Sequence, residues 1–305
     1  MVGSDICGFI DNTTEELCAR WTALGSFYPF ARNHNNFGNI PHETYVWDSV
    51  AAIGRKFIGM RYRLLPYLYT LGYQAHVTGS PIARALFYEF PGDKNARVSP
   101  AVDHQFMLGN ALLVIPVLTQ GATSVTGYVP AGIWYDLFSY TRIESQGEAV
   151  TWDVKLDEMP VHIRGGSILL LHQPALTSTA AQQTPFDLIV ALGSNGQASG
   201  QLYLDDGEEI DPSNRATLIE FRVDASFLLG STLSSKLVSN GFQAAKTHGV
   251  AKIALLGVKK APSAVLANVF TRITSFTYNA QKQSLVIDLA KLNIKVTDAL
   301  SISWR

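Results

Sequence analysis

The 305-residue sequence has little charge and no excess of either sign: 24 basic and 25 acidic residues, 16% of the chain, for a net charge of -1. A protein that neutralises phosphates shows a basic surplus, so the balance argues against nucleic-acid binding. The longest strongly apolar run, Ala111 to Leu118, is far short of the ~20 residues a membrane-spanning helix needs. The first residues, Met1-Val2-Gly3-Ser4-Asp5, carry neither a basic nor an apolar signal region, so no signal peptide is expected in this chain. C-x-x-C, H-E-x-x-H, G-x-S-x-G and Gly-rich phosphate loops are all missing. No metal and no cofactor is therefore expected.

Two cysteines, Cys7 and Cys18, are all the sequence offers for redox chemistry. Two readings stand: buried free thiols, or one disulfide closing a short loop. The sequon Asn12-Thr13-Thr14 inside that loop leans toward the second.

What is present is apolar: 47% of the chain, enough for substantial cores, at a length suited to about two domains. The first ninety or so residues read as helices with strand ends. Thr13 and Glu16 suggest a capping box, and Leu17, Trp21 and Leu24 an amphipathic helix ending near Gly25. A second helix starts near Asp48, with Ile53, Phe57, Met60, Leu64, Leu68 and Leu71 as its stripe. Pro66 should divide it. Residues 82–90 read as a strand. This texture belongs to parallel α/β structure, but two strand positions cannot make an independent sheet.

From about residue 100, short β-rich runs alternate with Gly, Pro, Asn and Ser turns, as in antiparallel sandwiches. Residues 173–185, rich in Gln, Ala, Thr and Ser, read as a linker between two β-domains.

Groups able to grip a sugar concentrate near the start. Asp5 lies between glycines; Arg32 and His34 sit in an Asn-rich loop; Phe9 offers an aromatic face. A carboxylate can accept hydrogen bonds from two neighbouring hydroxyls. The plainer reading of the same residues is a turn aspartate, a surface arginine and a loop histidine. The acidic run from Asp205 to Glu209 does not fit an EF-hand and reads as a hairpin turn. Trp134-Tyr135-Asp136 reads as a core strand, and Asp103-His104 as a helix start.

Longer motifs carry a resemblance. Val2 to Phe9 (VGSDICGF), Glu16 to Trp21 (ELCARW), Gly25 to Asn35 (GSFYPFARNHN) and Arg61 to Tyr69 (RYRLLPYLY) resemble the α-glucosidases of glycoside hydrolase family thirty-one. So do Gly109 to Val117, Tyr128 to Asp136, Met159 to Gly166 and Leu204 to Glu208. The lysosomal and sucrase-isomaltase type is most similar. The resemblance implies the C-terminal part of a (β/α)8 barrel over 1–95, a proximal β-sandwich over 96–180 and a distal one over 181–305. It implies substrate-binding roles for Asp5, Phe9, Arg32 and His34, a Cys7–Cys18 disulfide and a glycosylated Asn12. Ser4 and Ala85 depart from the common alanine and proline.

The family's retaining chemistry needs two carboxylic acids about 5 Å apart. The motifs that carry them are absent; Trp47-Asp48 and Trp152-Asp153 have the wrong neighbours. No catalytic residue is therefore assigned. The expectation is the C-terminal portion of an enzyme that releases terminal α-linked glucose from oligo- or polysaccharides, inactive as this chain alone. The missing N-terminal portion is its natural partner, and a lysosomal or secreted location is implied. The alternative is a non-catalytic β-sandwich protein that binds carbohydrate or a partner chain.

Overall fold

The computed structural model describes residues 2–99, 102–210, 212, 214–226, 230–268 and 270–305. Strand β1 (Asp5–Ile6) leads into helix α1 (Glu15–Gly25), which returns the chain to strand β2 (Arg32–Asn33), parallel to β1. Thr14, in extended conformation, caps α1 by accepting the Leu17 N–H at 3.3 Å. The cap is thus one residue later than the expected Thr13. Glu16 does not close a capping box. It accepts hydrogen bonds from Arg20, one turn on, and from the Gly121 N–H, both at 2.8 Å. Those bonds hold its carboxyl below the usual carboxylate range.

The buried stripe of α1 is also rotated from the expected one. Cys18, Ala19, Thr22 and Ala23 face inward, while Leu17 is 45% exposed. Small side chains let α1 approach α2 (Asp48–Arg63) closely, and that close approach outweighs the pull of the larger residues. Val50, Ile53, Phe57 and Met60 form the buried face of α2. Pro66 divides the long stripe as expected: α2 ends at Arg63, and α3 (Leu65–Thr78) restarts with the proline in its first turn, where its missing N–H costs nothing. Gly79, with positive φ, stops α3.

The expected strand over 82–90 is confined to Ala83–Arg84; Leu86–Glu89 coils into a helical turn. Residues 83–164 then build an antiparallel six-stranded sheet in the order 83–84, 106–108, 112–114, 161–164, 132–136, 142–145. A separate two-stranded antiparallel sheet, 124–129 with 148–153, joins Met107, Leu113, Tyr128 and Trp134 in one cluster with Val125, Val150 and Trp152. Trp134 and Tyr135 are core residues, as expected. Asp103 and His104 lie in a single 3-10 turn.

The rest of the chain contributes to an eleven-stranded sheet that encloses its own apolar cluster. Most of its ladders are antiparallel. Two are parallel: Ser167 with Ser199, and Phe186–Ala191 with Val250–Leu256. Residues 173–185 are not a linker. They connect Ser167–Leu171 to Phe186–Ala191, which pair antiparallel within this sheet, and they include a short helix capped by Thr177. These two strands read as continuous apolar runs because both faces are buried. Ile168, Leu170, Leu188 and Val190 face the enclosed cluster, while Leu169, Leu171, Ile189 and Ala191 face the helices. Among the described residues, no helix is long and apolar enough to cross a membrane.

Candidate functional site

Glycine makes the site's geometry possible. A Cβ on Gly3 would stand 1.9 Å from the Phe30 carbonyl oxygen, so only glycine lets the two chain segments come together. The Phe30 N–H donates to the Val2 carbonyl at 3.1 Å, and two to three residues further along each segment Asp5 sits opposite Arg32 in the ladder. After β1 the chain turns sharply: Cys7 and Gly8 both take positive φ, and the Gly8 N–H donates back to the Asp5 carbonyl. Cys7 and Cys18 are joined as a disulfide, which ties this turn to α1.

The four residues expected to bind substrate fall into two contacting pairs here. Arg32 donates from Nε and Nη2 to one carboxylate oxygen, Oδ1 of Asp5, at 2.8 and 2.7 Å. Oδ2 of Asp5 accepts nothing among the described residues. The guanidinium is more than half exposed, so the pair adds at most ~1 kcal/mol to stability. Its consequence is orientation. Phe9 stacks on the His34 ring, with centroids 5.3 Å apart and planes 18° from parallel, and Phe9 is still 38% exposed. A carboxylate and a guanidinium thus pair at the ends of two parallel strands, and an imidazole and an aromatic ring stack in the segments that follow them. That set can accept and donate hydrogen bonds to hydroxyls and cover an apolar ring face.

Asparagines brace the loop. Asn33 donates to the His42 carbonyl at 3.0 Å, and Asn39 to the Phe9 carbonyl at 3.1 Å. Asn12 is exposed, and its Oδ1 accepts the Ile40 N–H at 2.8 Å. Sequence reasoning missed Arg61. From α2 it donates to the carbonyls of Ser26, Tyr28 and Pro29, holding the segment that leads to Arg32. Burial lowers its pKa from the ordinary arginine value. In the sequence it is one of several basic residues beside the apolar stripe of α2, and nothing local sets it apart.

Other candidates have structural roles. Trp47 is the N-cap of α2, and Asp153 ends the strand 148–153. In the acidic run, Asp205 accepts the Tyr69 hydroxyl and the Gly207 N–H, and Asp206 accepts the N–H groups of Glu208 and Glu209. These are the bonds of a turn between paired strands, as read from the sequence. Among the described residues no cluster of three metal-ligating side chains occurs.

Residues 1–71 match the glycosyl hydrolases family 31 TIM-barrel domain, and residues 79–169 match the glycosyl hydrolase family 31 C-terminal domain. A probable alpha-glucosidase of Oryza sativa subsp. japonica is 47% identical over 86% of the chain, which covers 30% of that protein. The lysosomal alpha-glucosidase of Mus musculus is 40% identical over the whole chain, which covers 33% of it. A crystal structure of glucosidase II alpha subunit superposes with a TM-score of 0.87 at 28% identity, over 99% of this chain and 34% of that one. The chain therefore spans about a third of the length of the relatives it matches. A chain that carries two successive domains of one family, with relatives this similar across most of its length, belongs to glycosyl hydrolase family 31.

Proposed function

We propose that this chain supplies the sugar-binding part of a retaining α-glucosidase, one that releases terminal α-linked glucose from oligo- or polysaccharides. The observation that carries the reading is the pairing of Asp5 with Arg32 on adjacent parallel strands and of Phe9 with His34 just beyond their ends. Barrel enzymes assemble their sites at the C-terminal ends of such strands, from several of them. Here two strand ends are present, and the nucleophile and acid/base motifs of the resemblance are not. Asp5, Arg32 and His34 would bind hydroxyls, and Phe9 the apolar face of the sugar. The carboxylates that do the chemistry would come from the remaining part of the enzyme, the partner this chain needs.

The proposed division is a barrel segment over 1–95, a proximal β-sandwich from 96 to about 180, and a distal one to 305. The strand Ser167–Leu171 of the proximal part enters the distal sheet. The disulfide, the exposed sequon asparagine Asn12 and the lysosomal relatives support glycosylation at Asn12 and a lysosomal or secreted location.

The test is turnover of a chromogenic α-glucoside by the pure chain. The expected result is none above the uncatalysed rate. Turnover that His34→Ala abolishes would overturn the reading.

A further inference from the structure

A cavity of about 570 Å³ lies between α3 and the eleven-stranded sheet, with neither Asp5 nor Arg32 in its lining. Leu65, Leu68, Tyr69 and Gly72 of α3 form one wall. Asp205, Asp206 and Phe242 face them, and His172 and His248 also line the space. Both imidazoles lie against the Phe186 ring, at 5.3 and 5.6 Å between centroids. The volume and the mixture of apolar walls with few polar groups are those of a small-molecule pocket.

The polar groups narrow the ligand. His172 is only 5% exposed, and its Nδ1, like that of His248, is buried without a hydrogen-bond partner. Buried polar groups without partners are scarce in folded proteins, so two in one wall call for an explanation. Burial pushes the pKa of His172 down to about 4 and lowers that of His248. At neutral pH both rings are uncharged, each with one donor and one acceptor. The charged groups argue against an anion. Asp205 and Asp206 are carboxylates, and Arg61, the one cation lining the cavity among the described residues, is engaged with three backbone carbonyls. Tyr69, 46% exposed, and Tyr203 add aromatic surface. A neutral ligand with hydroxyl edges and an apolar face meets these conditions.

We propose that this cavity is a second binding site, for a neutral polyhydroxylated ligand of mono- or disaccharide size. Its ring would pack on Tyr69, with hydroxyls directed to His172, His248 and Asp205. The site is separate from the Asp5 surface but adjoins it, because Pro29 and Arg61 belong to its wall and precede or hold the loop that leads to Arg32.

Gly72 gives a test, since it lines the cavity and a Cβ there meets nothing within 4 Å, so that Gly72→Leu adds bulk at an open position. Maltose is titrated into the full chain while the His172 and His248 ring signals are followed by NMR. Saturable shifts are expected in the wild type and equally in Asp5→Asn, which separates this site from the first. Gly72→Leu and Tyr69→Ala should weaken the titration about tenfold or more, a difference readily resolved in an equilibrium constant. The melting temperature of Gly72→Leu should not fall. Imidazole signals that maltose leaves unmoved would overturn the proposal. So would an unchanged titration in Gly72→Leu, or one lost in Asp5→Asn.

Discussion

The helical region and the eleven-stranded sheet bury their apolar residues in different ways. The sheet curls around a cluster drawn from its own strands and their connections, from Ile168 to Trp304. The helices have no such private core. Phe27, Val50, Phe57 and Leu64 share one cluster with Leu112, Val161, Leu169 and Ile189 of the two sheets. The helical region also leaves Val2, Ile10, Phe37 and Tyr45 exposed near the strand ends. Two strand positions make no independent sheet, so the first ninety residues need partners from elsewhere. In the structure their helices are well buried, but against the sheets. The site therefore sits on the part of the molecule that depends most on its neighbours.

The sharpest way to break this comparison is Phe57→Ala. Phe57 is fully buried, edge-on to Phe27 and Phe138. The expected loss is about 3–5 kcal/mol, the usual cost of a large core truncation. Hydrogen exchange should rise in α1, α2 and the six-stranded sheet together. Ile253→Ala, inside the sheet's enclosed cluster, should instead raise exchange mainly in that sheet, leaving α1 protected. Equal exchange patterns for the two variants would mean that the cores are one unit.

Acid sharpens it next. His162 is 1% exposed beside Trp152, with neither ring nitrogen hydrogen-bonded, and burial pushes its pKa down to about 4, as for His172. Both are depressed below the ordinary value of 6.5. The unfolded chain then binds protons that the folded chain refuses. Stability is complete above pH 6.5 and is lost as pH falls toward 4. The loss is on the order of 3 kcal/mol for each histidine. Denaturant midpoints measured across that range should fall, and His162→Gln should flatten the dependence.

Reducing the Cys7–Cys18 disulfide removes the constraint on a loop of sequence separation 11. About 2–3 kcal/mol is expected, read as faster exchange at β1 and the start of α1 with no change in the large sheet. The smallest effect belongs to Thr14→Ala. Loss of the α1 cap should cost about 1 kcal/mol in urea denaturation.

What could be read in the sequence follows from how local the determinant is. The helix stripe of α2 and the break at Pro66 depend on neighbours three and four residues apart. So do the short strands bounded by turns, such as 132–136 and 186–191. The face that α1 buries was not legible, because it is set by a close approach to α2 and by Cys7. The 173–185 segment was polar enough to pass for a linker; that it closes a hairpin depends on strands pairing on both sides of it. The site divides the same way. Asp5, Phe9, Arg32 and His34 stand out by residue type and by resemblance. Their pairing, across 27 residues for Asp5 and Arg32, exists only once α1 folds the chain back. Arg61 acts on carbonyls more than thirty residues away and left no local trace beyond its charge.

The central claim is that these four side chains form one sugar-binding surface. The most direct measurement is a glucose titration of the pure chain, following the His34 ring and the Phe9 aromatic signals by NMR. The account predicts that both sets shift along one saturation curve, and that Arg32→Ala weakens it. Separate curves for Phe9 and His34, or no shift of either at saturating glucose, would contradict it.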